Sequence, residues 1–297
     1  ELAAQGHDVL MVAPEKWHHL ALGSHSAGTL VVRTLPVTNA GDIYHFGLLG
    51  AKEAVESFKP DWVYLMQEAQ SDLAAQVPEW APGAKRALFV WENIQAPGER
   101  EKAILKSYDL VVCGNREAFA LIIRSAKVVT TILPQVGIDL DLMKPVPGVK
   151  RSIDVAYLGR PVPEKGIDHL MLAWPQTAVL PWADYQDLPR YYSQAKVVVI
   201  YSQDTATWKE QAMSYVAIEA LACGAQVIVS DTDASVFWLF GCPGVTFVPQ
   251  KSAVKLREAI VRLGRTVDAE YPNSREWVRE RFSNQVVATN LREAFRG

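Results

Sequence analysis

The chain has 297 residues, enough for two domains that each bury a core of their own. Hydrophobic residues make up 49% and charged residues 21%, and the net charge of −3 gives no reason to expect nucleic acid or an anionic membrane as an obligate partner. The 3 cysteines form no CxxC pair, which excludes a thiolate zinc knuckle and favours a reducing compartment without structural disulfides.

The sequence carries no signal for membrane insertion or export. No run approaches roughly 18 apolar residues, and no charged-then-apolar leader opens the chain. We therefore expect a cytoplasmic protein. Residues 1–9 read as the end of a helix that runs into a strand, so we expect an earlier strand and its loop to be missing from this sequence.

The first half of the chain alternates short apolar runs with helix-like stretches. Runs rich in β-branched residues predict strands, and the stretches 47–58 and 116–126 predict helices. This alternation is typical of a parallel sheet with helices on both faces. The predicted strands of this half are 8–13, 29–35, 61–66, 86–91, 110–114 and 128–133.

Polar side chains follow two of these strands. Glu68 comes after the third strand, and Glu92 and Asn93 come after the fourth. Ligands of open α/β sheets bind at the carboxyl ends of strands, so these three residues are candidates for a binding site. Capping of the loops is an equally good interpretation. His18 and His19 follow the first strand, and we expect them to be solvated.

The alternating pattern breaks at 137–152, which contains two prolines, two glycines and a basic cluster. We therefore place a domain boundary near residue 146, with domains at 1–146 and 147–297. The pattern of strands and helices then resumes, which predicts a second α/β domain. The closing stretch 275–295 reads as one amphipathic helix that packs back on the first domain.

The sequence GRPVPEKG at 159–166 places Arg160 and Lys165 just after an apolar strand. Two cations in this position suit the diphosphate of a nucleotide. The alternative is a solvated turn with ordinary basic residues, and this motif alone would favour it.

Glu219 is a single carboxylate inside an otherwise apolar helix. A helix that is apolar all round is buried, and a buried carboxylate is costly unless something hydrogen-bonds it. A ribose diol offers two adjacent hydroxyl donors and is a good match. The alternative is a structural acid paired with a core Arg or Lys.

The helix that holds Glu219 has readable ends. Ser214 can serve as its N-cap, and Gly224 stands where a left-handed C-terminal residue is wanted. Its first turn therefore lies near 213–216, where backbone N–H groups and the positive end of the dipole would receive a phosphate.

Taken together in chain order, these segments resemble the retaining glycosyltransferases of family 4. The resemblance implies the GT-B fold, an α/β architecture of two Rossmann-like domains facing a central cleft. It assigns the acceptor to the first domain and the nucleotide-sugar donor to the second. The segments that carry it are GHDVLMVAP, FKPDWVYL, QVGIDLDLMKP, YLGRPVPEKGIDHLMLAW, DLPRYYSQAKVVVIYS and EQAMSYVAIEALACGAQVIVSD.

The resemblance also assigns roles to single residues. Arg160 and Lys165 correspond to the cations that neutralise the donor diphosphate, and Glu219 to the acid that grips the ribose. The family places another glutamate eight positions earlier, near the donor sugar, where this chain has Gln211. Glu210 stands one position before it and takes that role if the loop carries an extra residue. The implied donor-binding set is Gly159, Arg160, Lys165, Met213, Ser214, Tyr215, Val216 and Glu219, with Glu68, Glu92 and Asn93 on the acceptor side.

The implied activity is transfer of a hexose from a nucleotide diphosphate sugar to an acceptor hydroxyl, with retention and without a metal or cofactor. The acceptor would be a sugar, a glycan or a lipid-linked molecule. Peripheral membrane contact is common among relatives with lipid acceptors, but no strongly basic amphipathic helix supports it here. A noncatalytic nucleotide- or glycan-binding module is the alternative, and a phosphorylase or epimerase is a third interpretation.

Two DxD sequences, 139–141 and 231–233, are typical of metal-binding acid pairs in another glycosyltransferase fold. Both fall at predicted strand ends or linkers, and the pattern is frequent by chance. A site of oxygen ligands needs more converging acids than this spacing provides, so we expect no metal.

Overall fold

The computed structural model describes residues 1–17, 20–181, 183–211, 213–264 and 272–297. Contacts divide the chain into two compact units. Unit 1 comprises Glu1–Leu133 and Ala288–Gly297, and unit 2 comprises Pro134–Val287. Among the described residues, no helix combines the length and apolar character that crossing a bilayer requires.

Unit 1 contains two sheets. One has the order β1-β5-β4, with β1 parallel to β5, and the other has the order β11-β10-β9-β8 and is parallel throughout. The elements are β1 (Val9–Pro14), β2 (Lys16–Trp17), β3 (Leu20–Ala21), β4 (His25–Ala27), β5 (Leu30–Leu35), β6 (Val37–Thr38), β7 (Gly47–Leu48), α1 (Ala51–Phe58), β8 (Trp62–Met66), α2 (Asp72–Trp80), β9 (Lys85–Val90), α3 (Glu99–Leu105), β10 (Leu110–Cys113), α4 (Arg116–Ser125) and β11 (Thr130–Ile132).

The predicted strands of the first half are confirmed as β1, β5 and β8 to β11. The two central strands β9 and β10 are almost wholly buried, as a parallel sheet covered on both faces requires. Asn115 ties the beginning of α4 to this sheet. Its side chain accepts from the Ala118 amide at 2.7 Å as the N-cap and donates to the Trp91 carbonyl at 2.9 Å.

Unit 2 contains one five-stranded parallel sheet with the order β13-β12-β14-β15-β16. The second α/β pattern predicted from sequence is confirmed. The elements are β12 (Ile153–Tyr157), a 3₁₀ turn at Pro163–Lys165, α5 (Ile167–Ala173), β13 (Ala178–Val179), α6 (Leu188–Gln194), β14 (Ala195–Ile200), α7 (Tyr215–Ala222), β15 (Gln226–Ser230), α8 (Asp233–Leu239), β16 (Val245–Val248), α9 (Ala253–Gly264), α10 (Pro272–Phe282) and α11 (Asn284–Arg296).

The division between the units lies earlier in the chain than the predicted boundary near 146. Residues 137–152 looked like a linker because of their prolines and glycines, but two of their apolar side chains are buried in unit 2. Ile138 is 1% exposed and Met143 is 0% exposed. The guanidinium of Arg275 donates to the carbonyls of Leu140, Met143 and Ala222, which holds this segment against α7 and α10.

The prediction of one continuous helix over 275–295 is wrong, because α10 ends at Phe282 and α11 begins at Asn284. The residue between them, Ser283, forms a β-bridge with Ile138. The Ile138 amide donates to the Phe282 carbonyl at 2.9 Å, and the Asn284 amide donates to the Ile138 carbonyl at 3.1 Å. Backbone pairing with a distant segment therefore interrupts the helix. Within unit 1, Phe295 near the end of α11 stacks on Trp62 with 4.5 Å between ring centroids.

Gly166 joins the 3₁₀ turn to α5 at a point where the loops after β12 and β14 touch. Its φ is +68°, and a Cβ on this residue would overlap the carbonyl oxygen of Tyr201. A side chain here therefore meets both backbone strain and a backbone atom that cannot rotate away.

We expect Gly166→Ala to lower the free energy of unfolding of unit 2 by about 3 kcal/mol, the sum of left-handed strain and overpacking. Gly241→Ala is the matched control, because Gly241 has a φ of +79° and open space around its Cβ position. It should lose only about 1 kcal/mol. Denaturant titration followed by tryptophan fluorescence measures both changes. Equal losses in the two variants would show that the Tyr201 contact has no energetic weight.

Candidate functional site

The strand order of unit 2 reverses between β12 and β14. The chain goes from β12 to β13 on one side, then crosses back to β14 on the other side of β12. In doubly wound sheets, ligands bind in the crevice at the carboxyl ends of the strands on either side of this reversal. The loops that begin after Tyr157 and after Ile200 therefore border this crevice.

These two loops are joined by an ion pair between Lys165 and Glu210. Lys165 Nζ lies 2.9 Å from Glu210 Oε2 and 3.2 Å from Oε1, and the two side chains are 24% and 11% exposed. Ser202 Oγ donates to the same Oε2 at 2.5 Å. The ammonium also lies 4.8 Å from the ring centroid of Trp208, a cation–π distance. The lysine thus contacts two side chains of the second loop, Glu210 and Trp208, and Ser202 fixes the carboxylate that it pairs with.

Backbone and amide contacts fix the loop that carries Glu210. The Gln203 amide donates to the Glu164 carbonyl at 2.8 Å, which joins this loop to the one after β12. The Asp204 amide donates to the side-chain oxygen of Gln250 at 2.6 Å, and the Gln250 amide donates to Asp231 Oδ1 at 3.0 Å. The loops after β14, β15 and β16 are therefore connected to one another at this edge of the sheet.

Arg160 lies on the same loop as Lys165, and its side chain is exposed. The Tyr157 hydroxyl donates to the Arg160 carbonyl at 2.6 Å, and Gly159 between them has a φ of +152°. Burial raises the pKa of Tyr157 to about 12, and the charge of Arg160 opposes this rise while those of Glu164 and Glu210 add to it. The charges of both loops therefore influence the pKa of the Tyr157 hydroxyl.

Glu219 lies in α7 and is 6% exposed, as its apolar neighbours predicted. Its Oε2 accepts a hydrogen bond of 2.7 Å from the Tyr192 hydroxyl. Burial raises the pKa of Glu219 to about 7, and the bond from Tyr192 partly opposes the rise. The alternative of a core Arg or Lys partner is wrong, because Glu219 forms no ion pair among the described residues. Its partner is a phenol.

The predicted ends of α7 are confirmed. Ser214 is the N-cap and its side chain accepts from the Ala217 amide at 3.4 Å, while Gly224 after the helix has a φ of +78°. Met213 is buried in the core, and Val216 is half-buried. The hydroxyl of Tyr215 accepts from the Val136 amide at 3.1 Å. Helix geometry leaves the first-turn amides without helical partners.

The chain path limits how far the Lys165 cluster lies from this helix end. Glu210 precedes Ser214 by four residues, a fully extended span of at most about 14 Å. Gln211 is half-buried in the same segment. The structure therefore brings Lys165 and Glu210 into contact and ties both to the segment that leads into α7.

In unit 1, Glu68 and Glu92 both accept backbone hydrogen bonds. Glu68 is 2% exposed, and its Oε1 accepts from the amides of Trp91 at 2.7 Å and Glu92 at 2.9 Å. Burial raises the pKa of Glu68 to about 7. Glu92 Oε1 accepts from the amides of Ile94 and Gln95 at 2.8 and 3.0 Å. Loop capping is therefore observed for these two acids.

The same two acids line a cavity of about 300 Å³ in unit 1. Asn93 is buried outside that cavity lining, and its Nδ2 donates to Glu117 Oε2 at 3.1 Å. The three predicted residues of this loop region thus separate into two that line a cavity and one that contacts α4.

The first acid of each DxD sequence accepts from backbone amides. Asp139 Oδ1 accepts from the amides of Asp141 and Leu142 at 2.9 and 3.1 Å, and Asp231 accepts from Gln250. Within the described part of the chain, no group of three or more His, Cys, Asp or Glu side chains could hold a metal ion. His18 and His19 lie outside the described residues. The cysteines Cys113, Cys223 and Cys242 are free and buried.

Three residues of this site were missed by sequence reasoning, namely Tyr192, Ser202 and Trp208. Ser202 follows an apolar strand, and that position at the carboxyl end of β14 was a usable signal. Tyr192 and Trp208 had no such signal, because a tyrosine in an amphipathic helix and a tryptophan in a loop are most often packing residues.

Comparisons with known proteins agree with this architecture. Residues 177–265 match the family described as Glycosyl transferases group 1. No curated protein shows significant sequence similarity to the chain. Sucrose-phosphate synthase from Thermosynechococcus elongatus is similar in structure, with a TM-score of 0.75 and 20% identity over 99% of this chain and 90% of that one.

Two further solved structures are similar. HepE of Anabaena, in complex with UDP-glucose, has a TM-score of 0.67 and 13% identity over 89% of this chain and 85% of that one. A trehalose-6-phosphate synthase has a TM-score of 0.67 and 12% identity over 99% of this chain and 95% of that one. These likenesses show the fold. The chain has the GT-B fold, and its residues 177–265 match the glycosyl transferases group 1 family.

Proposed function

We propose that this protein transfers a hexose from a nucleotide diphosphate sugar to an acceptor hydroxyl in the cytoplasm, with retention of anomeric configuration and without a metal. The observation that carries the proposal is the Lys165–Glu210 pair at the reversal of strand order, with Arg160 exposed on the same loop as Lys165. The group 1 match over 177–265 supports the same class of reaction.

Negative charge develops on the diphosphate as its bond to the anomeric carbon breaks. Lys165 and Arg160 offer two positive side chains near the carboxyl end of β12, and the first turn of α7 offers backbone N–H groups. Donors placed before the reaction stabilise such charge without further reorganisation. This set supplies the stabilisation that a metal ion supplies in other transferases.

In this proposal the acceptor oxygen attacks the same face of the sugar from which the leaving group departs, so the anomeric configuration is retained. The acceptor oxygen bonds to the anomeric carbon as the bond to the β-phosphate oxygen breaks. The acceptor proton passes to the departing phosphate, so no strong protein base is needed. Exclusion of water by closure of the fold would limit hydrolysis of the donor.

The contacts of Glu210 support it over Gln211 as the acid near the donor sugar. Glu210 bonds to Lys165 and to Ser202, so its carboxylate has a defined position between the two loops. A hexose hydroxyl placed there would donate to it, while the diphosphate takes up the ammonium. Glu219 would accept from the ribose diol in the same way, at the position now bonded by Tyr192.

A noncatalytic nucleotide-binding module is the second candidate, because Gln211 stands where the glycosyltransferase family that this sequence resembles has a glutamate. Such a module would bind nucleotide but release no sugar. UDP-glucose is the first donor to test with either candidate, because HepE was solved with it.

We expect Lys165→Ala to lower kcat/KM for the donor by about 10²-fold to 10³-fold, the usual loss when a charge-stabilising donor is removed. Arg160→Ala in addition should lower it further. The measurement is release of nucleotide diphosphate in a coupled assay.

Lys196→Ala is the matched control for this variant. Lys196 pairs with Asp154 at 2.6 Å between the same two strands, β14 and β12, but near their amino ends. An exposed pair of this kind contributes less than about 1 kcal/mol to stability, so the control should keep near wild-type activity. Unchanged turnover in the Arg160 and Lys165 double variant would reject the proposed donor site.

Glu219 provides a pH test. Its pKa rises from 4.5 in the unfolded chain to about 7 when folded, so the folded state binds more protons between these values. The free energy of unfolding therefore falls as the pH rises from 4.5 to 7, by about 3 kcal/mol for this group. We expect Glu219→Gln to remove this part of the fall, so that the variant unfolds at a higher temperature than the wild type at pH 8. Thermal unfolding from pH 5 to pH 8 measures it.

The same variant should bind UDP about tenfold more weakly, since it loses a charged acceptor for the ribose hydroxyls. Tyr192→Phe serves as the comparison. Loss of its hydroxyl removes a donor to the ionised carboxylate, so stability should fall more steeply above pH 5 than in the wild type. Glu68 has a raised pKa for the same reason, so part of the wild-type slope remains in Glu219→Gln. If the stability of Glu219→Gln fell with pH as steeply as that of the wild type, the raised pKa could not be assigned to Glu219.

A further inference from the structure

The cavity in unit 1 lies at the carboxyl ends of β8 and β9. Glu68 follows β8, Glu92 follows β9, and Glu101 lies in the first turn of α3. Its volume of about 300 Å³ is at the lower end of the range for small-molecule sites, which suits one sugar ring. One wall is apolar and includes Val90 and Leu121.

Glu68 is a preorganised hydrogen-bond acceptor in this cavity. Two backbone amides bond its Oε1 and fix the orientation of the carboxyl group. The side chain is 2% exposed and lines the cavity, so its carboxyl group would meet a ligand in a defined orientation. A ligand hydroxyl in the cavity can donate to this oriented carboxyl group without first reorganising it.

The charge of the cavity is negative. Glu68, Glu92 and Glu101 line it, and none of the described lining residues is Lys, Arg or His. Arg100 approaches from outside the lining, where its guanidinium donates to the Gln70 carbonyl at 3.3 Å and pairs with Asp72 at 3.4 Å. A phosphate or carboxylate in the cavity would therefore face three acids, with no cation in the lining to neutralise it.

We infer that this cavity binds the acceptor as an uncharged sugar ring and rejects its phosphorylated counterpart. The carboxylates accept from sugar hydroxyls, the side chains of Gln70 and Gln95 add amide groups, and the apolar wall takes the C–H face of the ring. Repulsion of a phosphate by the acids supplies the selectivity. This inference rests on the proposed glycosyl transfer.

The charge selectivity contrasts with the names of two structurally similar proteins, sucrose-phosphate synthase and trehalose-6-phosphate synthase. Both names contain a sugar phosphate. The three acids of this cavity are a reason to expect different acceptor chemistry in this chain.

The first experiment measures binding of glucose and of glucose 6-phosphate to the full chain by saturation-transfer NMR, without a donor sugar and with excess UDP to occupy the proposed cationic site of unit 2. We expect signals from glucose and none from glucose 6-phosphate. Glu68→Gln, which keeps an oxygen for the two amides, should weaken glucose binding about tenfold. Preferential binding of glucose 6-phosphate, or wild-type glucose affinity in Glu68→Gln, would overturn the inference.

The second experiment tests the charges in turnover. With UDP-glucose as donor, uncharged hexoses should accelerate nucleotide release over the rate of donor hydrolysis, and their 6-phosphates should not. Replacing both Glu92 and Glu101 by Gln should lower the ratio of the rate with a hexose to the rate with its 6-phosphate by at least about tenfold. The reason is that these two negative charges then no longer repel the phosphate. Glucosamine is included as a cationic probe, and a preference for it over glucose would overturn the assignment to an uncharged ring.

Glu99→Gln is the matched control, since Glu99 lies on the same helix as Glu101 but is 90% exposed and pairs with Lys102. It should leave the preference unchanged. Failure of the proposed function would appear as absence of both donor hydrolysis and transfer, while NMR binding still reports on the cavity. Intact hydrolysis with selection of the 6-phosphates would refute the acceptor inference alone.

Discussion

The ion pair between Lys165 and Glu210 is the interaction on which the site of unit 2 depends. It joins the loops after β12 and β14, the two neighbouring strands between which the strand order reverses. The contact of Gly166 with the Tyr201 carbonyl brings the same loops together at the backbone. A lysine that already contacts a carboxylate and an aromatic ring has lost much of its rotamer freedom before any ligand arrives. Preorganisation of this kind lowers the entropic cost of binding a diphosphate.

Two buried acids, Glu68 and Glu219, both carry the desolvation cost of a buried carboxylate, and different hydrogen-bond donors offset that cost in each. Both have pKa values raised to about 7 by burial, and neither forms an ion pair among the described residues. Glu68 accepts from two backbone amides, and Glu219 accepts from the Tyr192 hydroxyl. A glutamine in either place would avoid the cost of a buried charge. Acids retained at such a cost are typical of functional sites, where local rules of stability are broken for binding.

The strands and the caps of α7 were predictable because apolar alternation and capping chemistry are properties of neighbouring residues. The partner of Glu219 was not, because Tyr192 is brought to it by the packing of α6 against α7. The Lys165–Glu210 contact joins residues on separate loops and likewise depends on tertiary structure. The pairing of Ile138 with Ser283 interrupts the last helix and, together with the bonds of Arg275, holds the segment at 137–152 against the rest of unit 2. Pairing between distant segments leaves no periodic trace in either of them.

The two candidate sites carry opposite charge, which bears on how one protein separates a donor from an acceptor. Cations and helix amides characterise the site in unit 2, while the cavity in unit 1 is lined by acids. A nucleotide diphosphate sugar contains a hexose that would fit a sugar-sized cavity, so shape alone would allow the donor to occupy the acceptor's place. Under the proposed function the diphosphate would prevent this, since the cations of unit 2 would attract it and the acids of unit 1 would repel it. Specificity in this arrangement comes as much from repulsion of the wrong ligand as from contacts to the right one.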